Sequence, residues 1–113
     1  MKAVVVVDAG ICGFKTRIHA DSEDSQNVTF KIASGCEKAR QFCEALMAKG
    51  PVDGYTEIGT GSDGLILTTA REHLKGCCAA CAVPVGAFKA MQVAAGVALP
   101  KDVTLGMSLE PNG

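Results

Sequence analysis

The chain has no excess of charge of either sign, no long apolar run and too few cysteines for a scaffold built on disulfides. Eleven Lys and Arg stand against twelve Asp and Glu, for a net charge of -1. That balance leaves no electrostatic footprint for nucleic acid or an anionic membrane surface. The opening run Val4-Val5-Val6-Val7 stops at Asp8, too short for the apolar core of a signal peptide. Lys, Glu, Gln or Gly interrupts every later apolar stretch, so none can span a bilayer. Six cysteines in 113 residues fall below the roughly 8–10% of a small secreted disulfide scaffold. These absences predict a cytoplasmic protein whose thiols are kept reduced, with neither nucleic acid nor membrane as partner. The length is that of a single domain, 1–113, with no internal repeat and no low-complexity tail.

What is present divides into strands and then helices. Residues 3–7 are a continuous apolar run, predicting a strand buried on both faces or lying centrally in a sheet. Phe14, Thr16, Ile18 and Ala20 alternate with Lys15, Arg17, His19 and Asp21 as a strand with one wet face. The acidic residues 21–25 form the next loop, solvated and without a paired-carboxylate arrangement. Val28, Phe30 and Ile32 then mark a third strand, completing an antiparallel meander. Ser34 with Glu37 has the spacing of a capping box, and Gly50-Pro51 the stop, of a first helix whose apolar face is Ala39, Phe42, Cys43 and Leu46. Residues 50–64 read as a long irregular connection. A second helix, capped by Ser62 or Asp63, runs to about Lys75, and a third from Pro84 to about Ala98. That third helix is apolar almost all round, which places it at the centre of the fold or in a subunit interface. Val103, Leu105, Met107 and Leu109 alternate as a last strand. The predicted fold is α+β, a two-layer sandwich with an antiparallel sheet of about four strands and helices packed on one face.

This topology places the thiols. The end of the first strand and the end of the third share one end of the meander, which brings Cys12 and Cys36 together. The first helix descends about 20 Å at about 1.5 Å per residue; the second climbs back and delivers Cys77, Cys78 and Cys81 to the same end. Cys36 and Cys81 lie at helix starts, where unpaired N–H groups favour thiolate, the form that binds metal or attacks disulfides. Cys78-x-x-Cys81 is a chelating pair, and Cys12 with Cys36 would complete four sulfurs for zinc or an iron–sulfur cluster. Cys77, adjacent to Cys78, and His73, one turn before Cys77, are reserve ligands. Cys43 is a core residue, since cysteine also serves as a small hydrophobe.

Other readings compete. The cysteines could be free thiols of a homo-oligomeric interaction module, or a thiol–disulfide redox pair, though the pair follows a helix where a thioredoxin-like fold has a strand. Gly59-Thr60-Gly61-Ser62-Asp63-Gly64 matches the G-x-G-x-x-G dinucleotide string, but no convincing strand precedes it, and Pro84 stands where an acid is needed. It reads as a glycine-rich loop.

The order of three strands, Gly35-Cys36, two helices, Cys78-Ala79-Ala80-Cys81, Pro84 and a helix resembles the TSCPD domain over roughly residues 14–92. That domain's cysteines are thought to bind metal, so the resemblance implies a metal-binding role for Cys36, Cys78 and Cys81. It departs from the family where Ala82-Val83 separate Cys81 from Pro84, and it lacks the motif that names the family. The expected function is therefore a small cytoplasmic metal or iron–sulfur protein with an accessory or redox role, and a homo-oligomer; in the rival reading, an interaction module with free thiols, the third helix forms the interface.

Overall fold

Alternation along the first strands makes a one-sided sheet. The structure, a computed structural model, describes residues 1–75 and 81–111. β1 (Lys2–Asp8), β2 (Lys15–Asp21) and β3 (Asn27–Ser34) form an antiparallel meander, and a two-residue β4 (Val52–Asp53) completes the order β1-β2-β3-β4. Thr16, Ile18 and Ala20 of β2 are buried while Lys15, Arg17 and His19 are exposed. The register sets Ile18 between Val5 and Ile32, and His19 between Val4 and Lys31. The helices are α1 (Glu37–Ala48), α2 (Gly54–Thr60), α3 (Leu65–Leu74) and α4 (Val83–Ala94), with a single 3-10 turn at Gly61–Asp63. α4 covers β1 and β2, α1 covers β3, and α3 packs on α1. The α+β architecture is the one the sequence predicts. Among the described residues no helix is long and apolar enough to cross a membrane.

The valine run behaves differently from expectation. β1 is an edge strand, and Val4 and Val6 are 52% and 55% exposed. Helices cover only one face, so every second valine meets solvent. α4, in contrast, is central. Its buried residues include Gly86, Ala87, Ala90, Met91 and Ala94, and a Cβ on Gly86 would come 2.5 Å from Val7 Cγ2 and 3.1 Å from Ile18 Cδ1. Only a residue without a side chain lets the helix backbone sit this low on the sheet.

α1 buries Ala39, Phe42, Cys43 and Leu46 as the periodicity requires. Its N-cap is Cys36 rather than Ser34, and no side chain caps it. Ser34 closes β3 instead: its hydroxyl shares a 2.7 Å hydrogen bond with Thr16 and accepts the Cys36 amide at 3.1 Å. The predicted capping box does not form because Ser34 still belongs to the sheet. At the other end Gly50, at φ +81°, donates to the Met47 carbonyl and turns the chain.

The predicted irregular connection is ordered. Val52 pairs with Val28 in β4, and Asp53 caps α2 by accepting the amides of Tyr55 and Thr56, each at 3.0 Å. α2 in turn presents Glu57, which is buried and takes the first amides of α3: Leu65 at 2.9 Å to Oε2 and Ile66 at 2.8 Å to Oε1. The predicted caps Ser62 and Asp63 lie in the 3-10 turn, and the N-cap of α3 is Gly64. A carboxylate eight residues back in the chain does the capping, which local pattern cannot show.

The predicted last strand is absent. Residues 101–110 have no regular structure, and Val103, Leu105, Met107 and Leu109 are 60% to 95% exposed. A strand exists only where an edge pairs with it, and no strand of the sheet takes this segment. β4 is the fourth strand.

Two predictions follow from this packing. Glu57→Gln keeps the volume but turns one acceptor into a donor facing an amide. It should lower the unfolding free energy by about 1–3 kcal/mol in urea titration. Gly64→Ala should do likewise by about 1–3 kcal/mol, because its Cβ would lie 2.7 Å from Glu57 Oε2 although its φ of -74° suits any residue.

A third prediction concerns acid. In the β2–β3 turn Asp24 accepts the side chain and backbone of Asn27 and the amide of Gln26, which hold its carboxyl at about 2 against an ordinary 3.8. Asp53 is lowered too, chiefly by the Gln26 side chain. A depressed folded pKa gives stability that is whole above the ordinary value and is lost as pH falls through the folded one. Unfolding free energy measured by circular dichroism should therefore decline between pH 3.8 and about 2. Asp24→Asn should be less stable at neutral pH and flatter over that window; an unchanged slope would count against the turn's role.

Candidate functional site

The end of the sheet bounded by Asp8, Lys15 and Ser34 collects the starts of α1 and α4 and most of the described thiols. β1 and β2 are joined there by a tight loop in which Ala9 donates to the Phe14 carbonyl and Gly13 to that of Gly10. Gly10 and Gly13 have φ of +85° and +75°, angles open to glycine at little cost. Cys12 stands between them, exposed. Phe14 folds back over β3's exit, where a Cβ on Gly35 would touch its ring at 3.1 Å.

Cys36 follows, half-buried and packed against the core at the N-terminus of α1. The Thr16–Ser34 hydroxyl pair anchors its amide, and Arg40 Nη1 donates to the Ser34 carbonyl at 2.9 Å. The backbone at Cys36 is thus held from both the sheet and the helix.

The return of α3 is visible in one contact: Lys38 Nζ, in the first turn of α1, donates to the Lys75 carbonyl at 3.1 Å. Beyond it Cys81 is half-buried and packed on the core, just before Ala82, the N-cap of α4. Cys12 and Cys36 follow the neighbouring ends of β1 and β3, and Cys81 precedes α4, whose Gly86 lies against Val7 near that end. Cys77 and Cys78 lie outside the described residues. Among the described residues no three His, Cys, Asp or Glu side chains are grouped closely enough to hold a metal ion.

The remaining candidates lie elsewhere. Cys43 is buried on α1 with its sulfur 3.5 Å from that of Met47, and burial pushes its thiol up. His73 is half-buried on α3, its Nε2 4.0 Å from Glu72 Oε2. His19 is exposed on the helix-free face. The glycine string 59–64 cannot serve a pyrophosphate, because the Glu57 carboxylate already fills the N-terminus of α3. Sequence reasoning missed the Thr16–Ser34 pair; its one signal was a hydroxyl at a core-facing position of an alternating strand. Beside the cysteine end, on the helix-free face, a shallow cleft of about 450 Å³ is lined by Val6, Lys15, Thr16, Arg17, Ala33, Ser34 and Gly35.

Fold and site together define a small α+β protein with thiols gathered at one end of its sheet. The chain belongs to a family of unknown function, DUF6951, whose model matches residues 3–107. No curated protein and no solved structure matches it.

Exposure orders the thiols' reactivity. In the native protein a maleimide should modify Cys12 before Cys36 and Cys81 and leave Cys43 untouched until denaturant is added, as peptide mass spectrometry would show. Early labelling of Cys43 would contradict the packing of α1.

Proposed function

We propose that the cysteine end is a soft-metal site, taking zinc or an iron–sulfur cluster through Cys12, Cys36, Cys78 and Cys81, in an accessory or redox role. The observation that supports this reading most is the Lys38–Lys75 contact. It brings the chain's return beside the helix start that carries Cys36, and the C-x-x-C pair follows within six residues of Lys75. Sulfur donors suit such an ion. Cys36 is held at its backbone and set at a helix start; Cys12 would come from the hairpin tip, and Cys77 and His73 are the substitutes. The resemblance to the TSCPD domain at Gly35-Cys36 and at Cys78-Ala79-Ala80-Cys81 points the same way. The metal, when bound, supplies either structural cross-linking or one-electron chemistry; the chain's own part is to present thiolates and shield them on the core side.

Protein purified without oxygen or chelator should carry close to one equivalent of zinc, or iron with the brown absorbance of a cluster, by elemental analysis. Cys36→Ser and Cys81→Ser should each lose most of it while remaining folded. A folded, metal-free protein with all six thiols titratable would overturn the reading, and a Cys78–Cys81 disulfide that forms and reduces reversibly would replace it with thiol–disulfide exchange.

A further inference from the structure

Among the described residues β1 is the sheet edge left unguarded. It is seven residues long, has charge only at its ends, Lys2 and Asp8, and no proline. The opposite edge, β4, is two residues long. Long uncharged edges present a row of unpaired backbone groups to any free strand, and natural sheets shorten, charge or cover them. The same chain carries a free strand of matching kind. Val103, Leu105, Met107 and Leu109 alternate with Thr104, Gly106 and Ser108, between Lys101-Asp102 and Glu110-Pro111. Charges and a proline bracketing an apolar strand are the usual guard on a segment meant for pairing. This segment is exposed throughout, in a molecule 52 Å long and 28 by 24 Å across. It departs from the end of α4 beside Met1, where a Cβ on Gly96 would come 2.8 Å from Met1 Cε. The family match extends through residue 107 and so takes in most of it.

We propose that residues 103–109 pair as a fifth strand with β1 of a second copy of this chain, each copy lending its tail to the other. Donor and acceptor are both present in one chain and are both seven residues long, about 23 Å at about 3.3 Å per residue. They do not meet within one molecule. Mutual exchange makes a two-fold interface that closes at two copies. Valines occupy both faces of β1, Val4 and Val6 on the open side and Val5 and Val7 on the helix side. Either register therefore sets the tail's apolar row beside valines. No cysteine lies in either pairing segment.

Sedimentation equilibrium under reducing conditions tests it. The full chain at tens of micromolar should have twice the chain mass. A chain ending at Leu99 should have the single mass with its helical circular-dichroism signal retained. Leu105→Pro, at a position exposed in the single chain, should weaken dimerisation at least tenfold. A full chain that is monomeric at these concentrations overturns the proposal, as does a tail-less chain that stays dimeric. Slow amide exchange at residues 104–108 in a monomeric chain would assign the pairing to one molecule and overturn it as well.

Discussion

The Glu57 carboxylate fixes the start of α3 against α2. It is the one buried carboxylate among the described residues, and its two oxygens take the first amides of α3 at 2.8 and 2.9 Å. A helix N-terminus carries partial positive charge and unpaired donors; burying it without an acceptor would be costly, and here the acceptor arrives on α2. That contact sets where α3 begins and, through ten residues of helix, where it ends, next to the first turn of α1. The same contact disposes of the dinucleotide reading of residues 59–64, since the anion that a glycine-rich turn would cradle is already part of the chain.

How much of this the sequence discloses depends on the range over which each feature is decided. β2, β3 and α1 follow from periodicity within single segments and α4 from the proline at its start, and the buried set of α1 is the one that periodicity names. The features that differ are settled elsewhere. Ser34 has the spacing of a cap but is held in the sheet by Thr16, eighteen residues away. The valines of β1 look central because all are apolar, yet the order of strands leaves them at an edge. Residues 103–109 have the pattern of a strand and no partner strand in the sheet. β4 and α2 were hidden by glycines, which punctuate loops in most sequences but here include Gly54, buried in α2 with its amide on the Gln26 carbonyl.

The thiols show the same division. A three-strand meander is enough to bring Cys12 and Cys36 to one end, whereas the place of Cys81 depends on how α4 seats on β1 and β2. Connectivity says nothing of finer geometry, which depends on side-chain anchors such as Ser34 and Lys38. The assignment of Cys43 to the core needed only its place on the apolar face of α1. Exposure then separates the four described cysteines into a projecting one on the hairpin, two half-covered at helix starts, and one enclosed.

The close seat of α4 on the sheet has a consequence for how this protein tolerates change. Gly86, Ala87, Ala90, Ala94 and Ala95 have no side-chain torsions to adjust. Cores of Leu and Met absorb a foreign methyl group by shifting rotamers. A layer of alanine and glycine has no such give and answers only by displacing the whole helix. Its position on β1 and β2 is therefore set by backbone contact, and the permitted alphabet at these sites is among the narrowest in the molecule. Drift should accumulate on the helix-free face, where Lys15, Arg17, His19 and Lys31 are exposed.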